Sequence, residues 1–450
     1  MMVYEAESGN VTLAFAGDAM INRRMSPFRE PQFLRLVELL RAADASIANL
    51  EQLFHNGEMS WSGKETHSFQ VSDPANLDEL KWMGFDAVST AMNHAYDYNE
   101  TGFMATLEHC KKHGLPQAGG GVNLGEARAP AMVDTPRGRV ALMSTCSTFS
   151  DDSRAGEGRA DFPGKPGING LRHQTVHRVP PEAFDAVTSL ARGLKLDEQE
   201  ENSRRFQPQM AKEYDKEREL RLFGQTLRVS DTFGVETACN AEDLAGIGNW
   251  IRGAAKAADW VVYGVHSHES TFDGEYHGGS RIPPPDFLVE FAHFAIDAGC
   301  HVVAGHGSHF LRGIELYKER PIFYSLGNFI FQNETVQRVP PPGFTLQHLD
   351  ATATPGDWGL ARSGGGEFGF AADKVFYQSI VPVCEYAGGA LKEVRLYPID
   401  LGFGQPMSQR GRPVLAEGDV AEEILGWLRE VSKPFRTDIA IEGEVGVIRL

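Results

Sequence analysis

The fold is decided by the stretch VTLAFAGD at residues 11–18, in which an aspartate follows a short apolar run rich in strand-forming residues. Four further runs have the same form: ASIANLE at 45–51, FDAVSTAMNH at 85–94, DWVVYGVH at 259–266 and CHVVAGHGSH at 300–309. Each has the length and β-branched content of a strand, and most are flanked by helical patterns. This alternation is typical of a parallel or mixed sheet, so we predict an α/β fold.

The polar residues that end these runs are candidate metal ligands: Asp18, Glu51, Asn93, His266, His306 and His309. In α/β sheets, ligands bind beyond the carboxyl ends of the strands. Oxygen and nitrogen donors gathered at one edge suit a divalent cation. Each residue alone has an ordinary alternative, since an aspartate or asparagine after a strand often serves as a helix cap or turn former. Together, the six residues predict a metal site.

The pattern along the chain indicates one large domain with two insertions. Helices and strands alternate up to residue 146, and the alternation returns after residue 240. We predict a domain over 11–375, interrupted by insertions at about 150–240 and 331–372, with strands and a helix at 376–450 that complete it or are appended to it. Within the first insertion, the charged stretch 196–222 is predicted to be helical, and the second insertion is predicted to be irregular.

Composition limits the classes of partner. The chain has 450 residues, 42% of them hydrophobic, and a net charge of −18, which makes it a poor non-specific binder of nucleic acid or anionic membranes. Its five cysteines are scattered, which argues against a disulfide framework. Neither a signal peptide nor a membrane span is visible. We expect a soluble cytoplasmic protein without nucleic acid, and the sequence specifies no oligomeric state.

At these residues the chain resembles the bacterial CapA/PgsA family, named for capsule and poly-γ-glutamate synthesis. The motifs that carry the resemblance are Gly17-Asp18, NLE at 49–51, Asn93-His94 with Asp97, NLGEARAP at 123–130, His266 after its strand, GHGSH at 305–309 and PIFYSLGNFIF at 321–331. Their combination and order are specific, although each motif alone is weak. The resemblance implies a calcineurin-like metallophosphatase fold, which is a β-sandwich flanked by helices.

The resemblance also implies how the metal ligands are shared. Glu51 would bridge two ions, with Asn93, His266 and His306 completing one site and Asp18 and His309 holding the other. The wider superfamily usually has a histidine two residues after the first aspartate, where this chain has Met20. The second ion would then have only three protein ligands, so the expectation is one or two divalent ions. Mn, Zn, Fe, Mg and Ca all remain open.

Four further residues are candidates for proton transfer. His94 follows the ligand Asn93, and in the superfamily the histidine at this place donates a proton or stabilises charge beside the metals. Asp97 is expected to orient it, as carboxylates commonly orient imidazoles. His268 and Glu269, just beyond His266, are predicted to reach the same opening.

The site and the resemblance together leave three functions open. The first is hydrolysis of an amide, peptide or phosphoester bond by metal-activated water. The second is peptide epimerisation by Cα proton exchange, since a lasso-peptide epimerase resembles the same family. The third is a non-catalytic accessory role in poly-γ-glutamate or capsule synthesis. The visible lack of a membrane anchor and the negative net charge weaken the third function, so we favour a hydrolase acting on a peptide, polyglutamate or small phosphoester substrate.

Overall fold

The computed structural model describes residues 9–63, 69–208, 215, 217–271 and 283–450. As predicted, the protein is mixed α/β, with helices connecting many of the strands. The strands of the first part are β1 (Val11–Met20), β2 (Ala45–Leu50), β3 (Leu53–Phe54), β4 (Val71–Ser72), β5 (Ala87–Ser89), β6 (Gln117–Ala118), β7 (Gly120–Gly121), β8 (Ala131–Thr135), β9 (Gly138–Cys146) and β10 (Gly167–Ile168). Its helices are α1 (Pro31–Ala42), α2 (Asn76–Met83), α3 (Asn99–Lys112) and α4 (Leu124–Arg128).

Residues 172–241 and 270–290 form a compact unit of their own. Its strands are β11 (His173–Val179), β12 (Glu219–Leu222), β13 (Gln225–Val229) and β14 (Gly234–Cys239), and its first two helices are α5 (Pro181–Gly193) and α6 (Leu196–Phe206). The strands form a four-stranded sheet in the order β12-β13-β11-β14. The prediction of helix throughout 196–222 is wrong at its carboxyl end, where β12 pairs with β13. Pro208 lacks the N–H that a continuing helix needs, and the alternating Leu220 and Leu222 suit a strand.

The other compact unit contains the rest of the chain, residues 1–171, 242–269 and 291–450. The later strands are β15 (Trp260–His266), β16 (Val302–His306), β17 (Ile314–Tyr317), β18 (Arg320–Phe323), β19 (Asn328–Phe331), β20 (Gln378–Ala387), β21 (Ala390–Asp400), β22 (Val414–Leu415), β23 (Ala440–Glu442) and β24 (Val445–Arg449). The later helices are α7 (Ala241–Ala257), α8 (Asp286–Ala298), α9 (Pro341–Leu346), α10 (Pro355–Ser363) and α11 (Gly418–Ser432).

The largest sheet is built around β1. It runs in the order β23-β24-β21-β20-β1-β2-β5-β6, with β19 also beside β1 and β22 beside β21. Strand β1 is parallel to β2 and β19 and antiparallel to β20. Because β1, β2 and β5 are parallel, their carboxyl ends meet at one edge of the sheet. The predicted ligands Asp18, Glu51 and Asn93 come from this edge.

A second sheet supplies the histidines. Its order is β17-β18-β16-β15-β9-β8, with β9, β15, β16 and β18 parallel. Contacts join the two sheets through β1 with β16 and through β5 with β9. Strands β15 and β16 end on His266 and His306, which are directly opposite each other in the ladder. The two sheets therefore bring their carboxyl ends to a common place.

Apolar packing fixes the first sheet against its helices. Helix α1 buries Phe33, Leu36, Val37 and Leu40, and α2 buries Leu77, Leu80 and Met83. These side chains share one core cluster with residues of β1 and β19, among them Met20 and Phe331. Met20 is thus part of the apolar core, which suits its flexible apolar thioether side chain.

The segment 331–372, predicted to be irregular, contains two short helices, α9 and α10. Helix α10 begins with a capping box in which the Thr354 side chain accepts from the Asp357 N–H, while the Asp357 carboxylate accepts from the Thr354 N–H. Both helices begin with proline at their first turn, where no backbone donor is needed. In the described parts of the chain, no helix combines the length and apolar character needed to cross a membrane.

Candidate metal centre

Asp18 lies near the end of β1 and is completely buried. The main-chain N–H of Gly307 donates to its Oδ2 at 2.9 Å, and Asn49 Nδ2 donates to Oδ1 at 2.8 Å. Burial alone would raise the pKa of Asp18, but the contact with His309 and the electrostatic effect of the neighbouring His266 and His306 rings outweigh it and hold the pKa well below its usual range. Asp18 is therefore an ionised carboxylate among histidines.

Glu51 follows β2 directly and is also completely buried. Its Oε1 lies 3.6 Å from His266 Nε2 and 3.7 Å from His268 Nε2, and its Oε2 lies 3.6 Å from His309 Nδ1. Among the residues that the structure describes, none donates a hydrogen bond to either oxygen. Burial and the neighbouring Asp18 charge raise the pKa of Glu51 well above its usual value. A buried carboxylate facing histidine nitrogens in this way is stabilised by a bound cation, so the residues fit a metal ion.

The two histidines that end β15 and β16 lie beside Asp18. Their Nδ1 atoms are 3.2 Å apart, and they lie 3.8 Å (His266) and 3.9 Å (His306) from Asp18 Oδ1. The other ring nitrogen of His266, Nε2, lies 3.1 Å from the Asn93 side-chain oxygen. Burial lowers the pKa of both imidazoles, that of His306 to about 4. Both rings are therefore neutral near pH 7, which leaves lone pairs for a metal.

His309 is held in an unusual backbone conformation. Its φ of +66° lies in the left-handed region, which is uncommon for a residue with a side chain and costs of order 1–3 kcal/mol. Its Nδ1 lies 3.5 Å from Asp18 Oδ2 and 3.0 Å from Asn328 Oδ1, and Asn328 Nδ2 donates back to the His309 carbonyl at 3.1 Å. This local strain places one imidazole between the carboxylates of Asp18 and Glu51.

The structure thus brings all six predicted ligands together, and five of them, with His268, form two groups of candidate ligand atoms. One group is Asp18, His266 and His306, and the other is Glu51, His268 and His309. Within each group the candidate ligand atoms lie within 4.8 Å of one another. His306 is in the same group as Asp18 and His266, whereas the resemblance implies that it shares an ion with Glu51, Asn93 and His266. The assignment of ligands to ions stays a prediction.

His94 and Asp97 form a pair next to this centre. Asn93 and His94 lie in a single 3₁₀ turn at Asn93–Tyr96 that follows β5. His94 Nδ1 lies 2.7 Å from Asp97 Oδ2, which also accepts the main-chain N–H of Gln70 at 2.8 Å. Because a carboxylate only accepts, His94 donates its Nδ1–H to Asp97, which leaves Nε2 for another partner. The pair has the geometry expected of an oriented acid or base.

The other two candidates, His268 and Glu269, point in different directions. The His268 ring lies beside Glu51, and burial together with the nearby His309 lowers its pKa. In contrast, Glu269 Oε2 accepts hydroxyl hydrogen bonds from Ser147, Thr148 and Ser267 at 2.7, 2.9 and 2.9 Å. Glu269 is therefore occupied in fixing the loop after β15.

Several residues around the centre were not identified from the sequence. Asn49 donates to Asp18 and accepts from Ser89 Oγ at 2.7 Å, while Ser89 Oγ also lies 3.4 Å from His306 Nε2. Phe370, from the second insertion, packs edge-on against His309 with ring centroids 5.3 Å apart. Asn49 is the first residue of the NLE motif at 49–51. The motif could have identified it, but only Glu51 of this motif was assigned to the site. Nothing local in the sequence connects Phe370 with the site.

The chain is similar to known bacterial proteins. Residues 12–333 match the family described as "Bacterial capsule synthesis protein PGA_cap", and this range includes every predicted site residue. The uncharacterized protein y4sH of Sinorhizobium fredii is 34% identical over 456 residues, covering 98% of this chain and 93% of that protein. The PGA biosynthesis protein CapA of Bacillus subtilis is 24% identical, covering 71% of this chain and 63% of that protein.

A shorter similarity, 46% identity over 48 residues, links the chain to a probable polyglutamine synthesis accessory protein of Mycobacterium tuberculosis. The match to the family extends over more than half of the sequence, from β1 to the residues after β19. This chain therefore belongs to the PGA_cap family of bacterial capsule synthesis proteins.

Proposed function

We propose that this protein is a metal-dependent hydrolase that cleaves an amide, peptide or phosphoester bond. The observation that carries the proposal is the buried Glu51, whose two oxygens face histidine nitrogens and receive no donor from the described residues. Asp18, Asn93, His266, His306 and His309 would hold a divalent ion with it. An ion there supplies Lewis-acid activation of water or of a substrate oxygen. The meeting of two sheets at this centre also supports our proposal of a calcineurin-like metallophosphatase fold.

The chain's own residues would provide the proton transfer. Asp97 holds the His94 ring through Nδ1, and the Gln70 N–H in turn fixes the Asp97 carboxylate. In its doubly protonated form, His94 would give the proton on Nε2 to the leaving group and keep its Nδ1–H bonded to Asp97. Only 12% of the His94 side chain is exposed, so its position excludes most bulk water. A positioned acid of this kind contributes on the order of 10²–10⁴-fold to a rate.

The first prediction concerns His94. The substitution His94→Asn should lower turnover by on the order of 10²–10⁴-fold while leaving the bound metal unchanged, because the ring moves a proton and ligates nothing. Turnover would be measured on bis(p-nitrophenyl) phosphate and on γ-glutamyl peptides, and metal by elemental analysis. His348→Asn is a matched control, since His348 is exposed and has a positive φ that asparagine tolerates.

Loss of metal from His94→Asn would make His94 a ligand, and unchanged turnover would assign the proton transfer elsewhere. The same assay in deuterium oxide separates hydrolysis from epimerisation. Hydrolysis gives cleaved product without deuterium at Cα, whereas uncleaved peptide carrying Cα deuterium would replace our proposal with the epimerase.

A second candidate, an accessory role in poly-γ-glutamate synthesis, is favoured by the names of the relatives from Bacillus subtilis and Mycobacterium tuberculosis. It predicts that the protein binds poly-γ-glutamate without shortening it. Size-exclusion chromatography of the polymer after incubation distinguishes the two functions, because a hydrolase acting on this polymer lowers its mean length.

A further inference from the structure

The His268 ring lies beside Glu51 and His266, which are both candidate metal ligands. His268 follows β15 by two residues, and its Nε2 lies 3.7 Å from Glu51 Oε1 and 3.1 Å from His266 Nε2. The other oxygen of Glu51 lies 3.6 Å from His309 Nδ1. The rings of His268 and His309 stand perpendicular, with centroids 5.1 Å apart. Two imidazoles thus face one carboxylate from different sides.

The distance between Glu51 and the His268 ring suits two ligands of one metal ion better than a direct hydrogen bond. Two atoms bound to one ion at about 2.1 Å, with a near-tetrahedral angle between them, lie about 3.4 Å apart. The 3.7 Å between His268 Nε2 and Glu51 Oε1 is close to that value and too long for a strong hydrogen bond. Both Glu51 oxygens are buried and receive no hydrogen bond from the described residues. The space between Glu51, His268 and His309 therefore suits a bound cation.

The main chain fixes His268 in this direction. Its N–H donates to Thr148 Oγ1 at 2.8 Å, and the Thr148 hydroxyl donates to Glu269 at 2.9 Å. Arg312 Nη2 donates to the Glu269 carbonyl at 2.7 Å. These bonds hold the main chain of the loop after β15, from which the His268 side chain extends toward Glu51. Preorganisation of this kind is what a ligand-binding side chain needs.

We propose that His268 is a metal ligand that forms a second metal site with Glu51 and His309, beside the site of Asp18, His266 and His306. The proposal rests on the proposed metal centre and changes the role expected for His268 from proton transfer to ligation. His268 would supply the second site with an imidazole, which Met20, in the apolar core, does not supply. His268 is 30% exposed, whereas Asp18 and His266 are fully buried, so the second site would be the one that solvent and substrate reach.

The experiment is a metal titration of the full chain after chelation. Wild type, His268→Ala and His94→Asn are titrated with Co²⁺ by calorimetry, and bound cobalt is counted by elemental analysis and visible spectra. We expect two ions in wild type and in His94→Asn, and one ion in His268→Ala, whose spectrum should lack the bands of the second site. His94 is a matched control because it is a histidine beside the same centre. Added imidazole should restore the second ion to His268→Ala.

The outcomes separate this inference from the proposed function. If His268→Ala binds as many ions as wild type with the same affinities and spectrum, His268 is not a ligand, although the metal centre stands. If wild type binds no cobalt, the proposed function itself fails. Should His268→Ala not fold, His268→Gln keeps most of the side-chain volume. Full retention of the second ion's histidine-type spectrum in that variant would also overturn the proposal.

Discussion

Asn49 orients Asp18 in the metal centre although it was not a predicted ligand. Its Nδ2 lies 2.8 Å from Asp18 Oδ1 and 3.2 Å from His266 Nδ1, and its Oδ1 accepts from Ser89. The amide therefore fixes the direction of one carboxylate oxygen while adding no charge. Groups that orient metal ligands are commonly needed for full affinity.

We predict that Asn49→Ala weakens metal binding by about 10–100-fold, because Asp18 loses the donor that orients it. Competition of the purified protein with a fluorescent chelator would measure the affinity. Asn249→Ala provides the control, since Asn249 is exposed on α7 and its side chain accepts from Arg252. Equal metal affinity in Asn49→Ala and wild type would show that Asp18 needs no such support.

At the scale of elements, β1 lies very close to the turn before β19 at Gly17, the residue before Asp18. A Cβ on Gly17 would lie 1.8 Å from the carbonyl oxygen of Gly327, so only glycine fits there. The next residue, Asp18, donates its main-chain N–H to that same oxygen at 3.0 Å. The contact between the two segments thus sets the position of Asp18.

The substitution Gly17→Ala should therefore lower both stability and metal affinity. Moving backbone apart to admit a methyl group costs about 1–3 kcal/mol, and the shift displaces Asp18 from its histidine partners. Urea unfolding and metal titration would measure the two effects. In contrast, Gly253→Ala, at an open position on α7, should be neutral or stabilising. A Gly17→Ala variant as stable as wild type would contradict the close approach.

At the scale of the whole molecule, two histidines away from the centre are kept neutral by their surroundings. Burial lowers the pKa of His55 and of His301 to about 4. Each Nδ1 accepts a main-chain N–H at 3.1 Å, from Gly57 for His55 and from Val261 for His301, which requires the unprotonated nitrogen. As the pH falls below the ordinary histidine pKa of about 6.5, the unfolded chain takes up these protons first.

The free energy of unfolding should therefore fall between about pH 6.5 and pH 4. Urea unfolding of the metal-free protein at a series of pH values would measure the loss. His55→Gln and His301→Gln should each show a shallower decline, whereas His348→Asn should follow wild type. An identical decline in all four proteins would mean that other groups carry the acid sensitivity.

The elements of the site were predictable from the sequence to the extent that they depend on local pattern. Strands β1, β2, β15 and β16 are continuous apolar runs, and their last polar residues identify the candidate ligands. Which ligand faces which depends on contacts between two sheets, and no local pattern encodes the distance from His268 to Glu51. Similarly, the pairing of β20 with β1 joins residues far apart in the chain, such as Ala14 and Val383. Helices α9 and α10 are short and lie in a proline-rich stretch.

The central claim is that Glu51 is the core of a metal centre, and the metal content of the purified protein tests it most directly. Elemental analysis of wild type should find at least one divalent ion per chain, and Glu51→Ala should have lost most of it while remaining folded by circular dichroism. Equal metal content in the two proteins, or none in wild type after exposure to Mn²⁺, Zn²⁺ and Fe²⁺, would contradict the account.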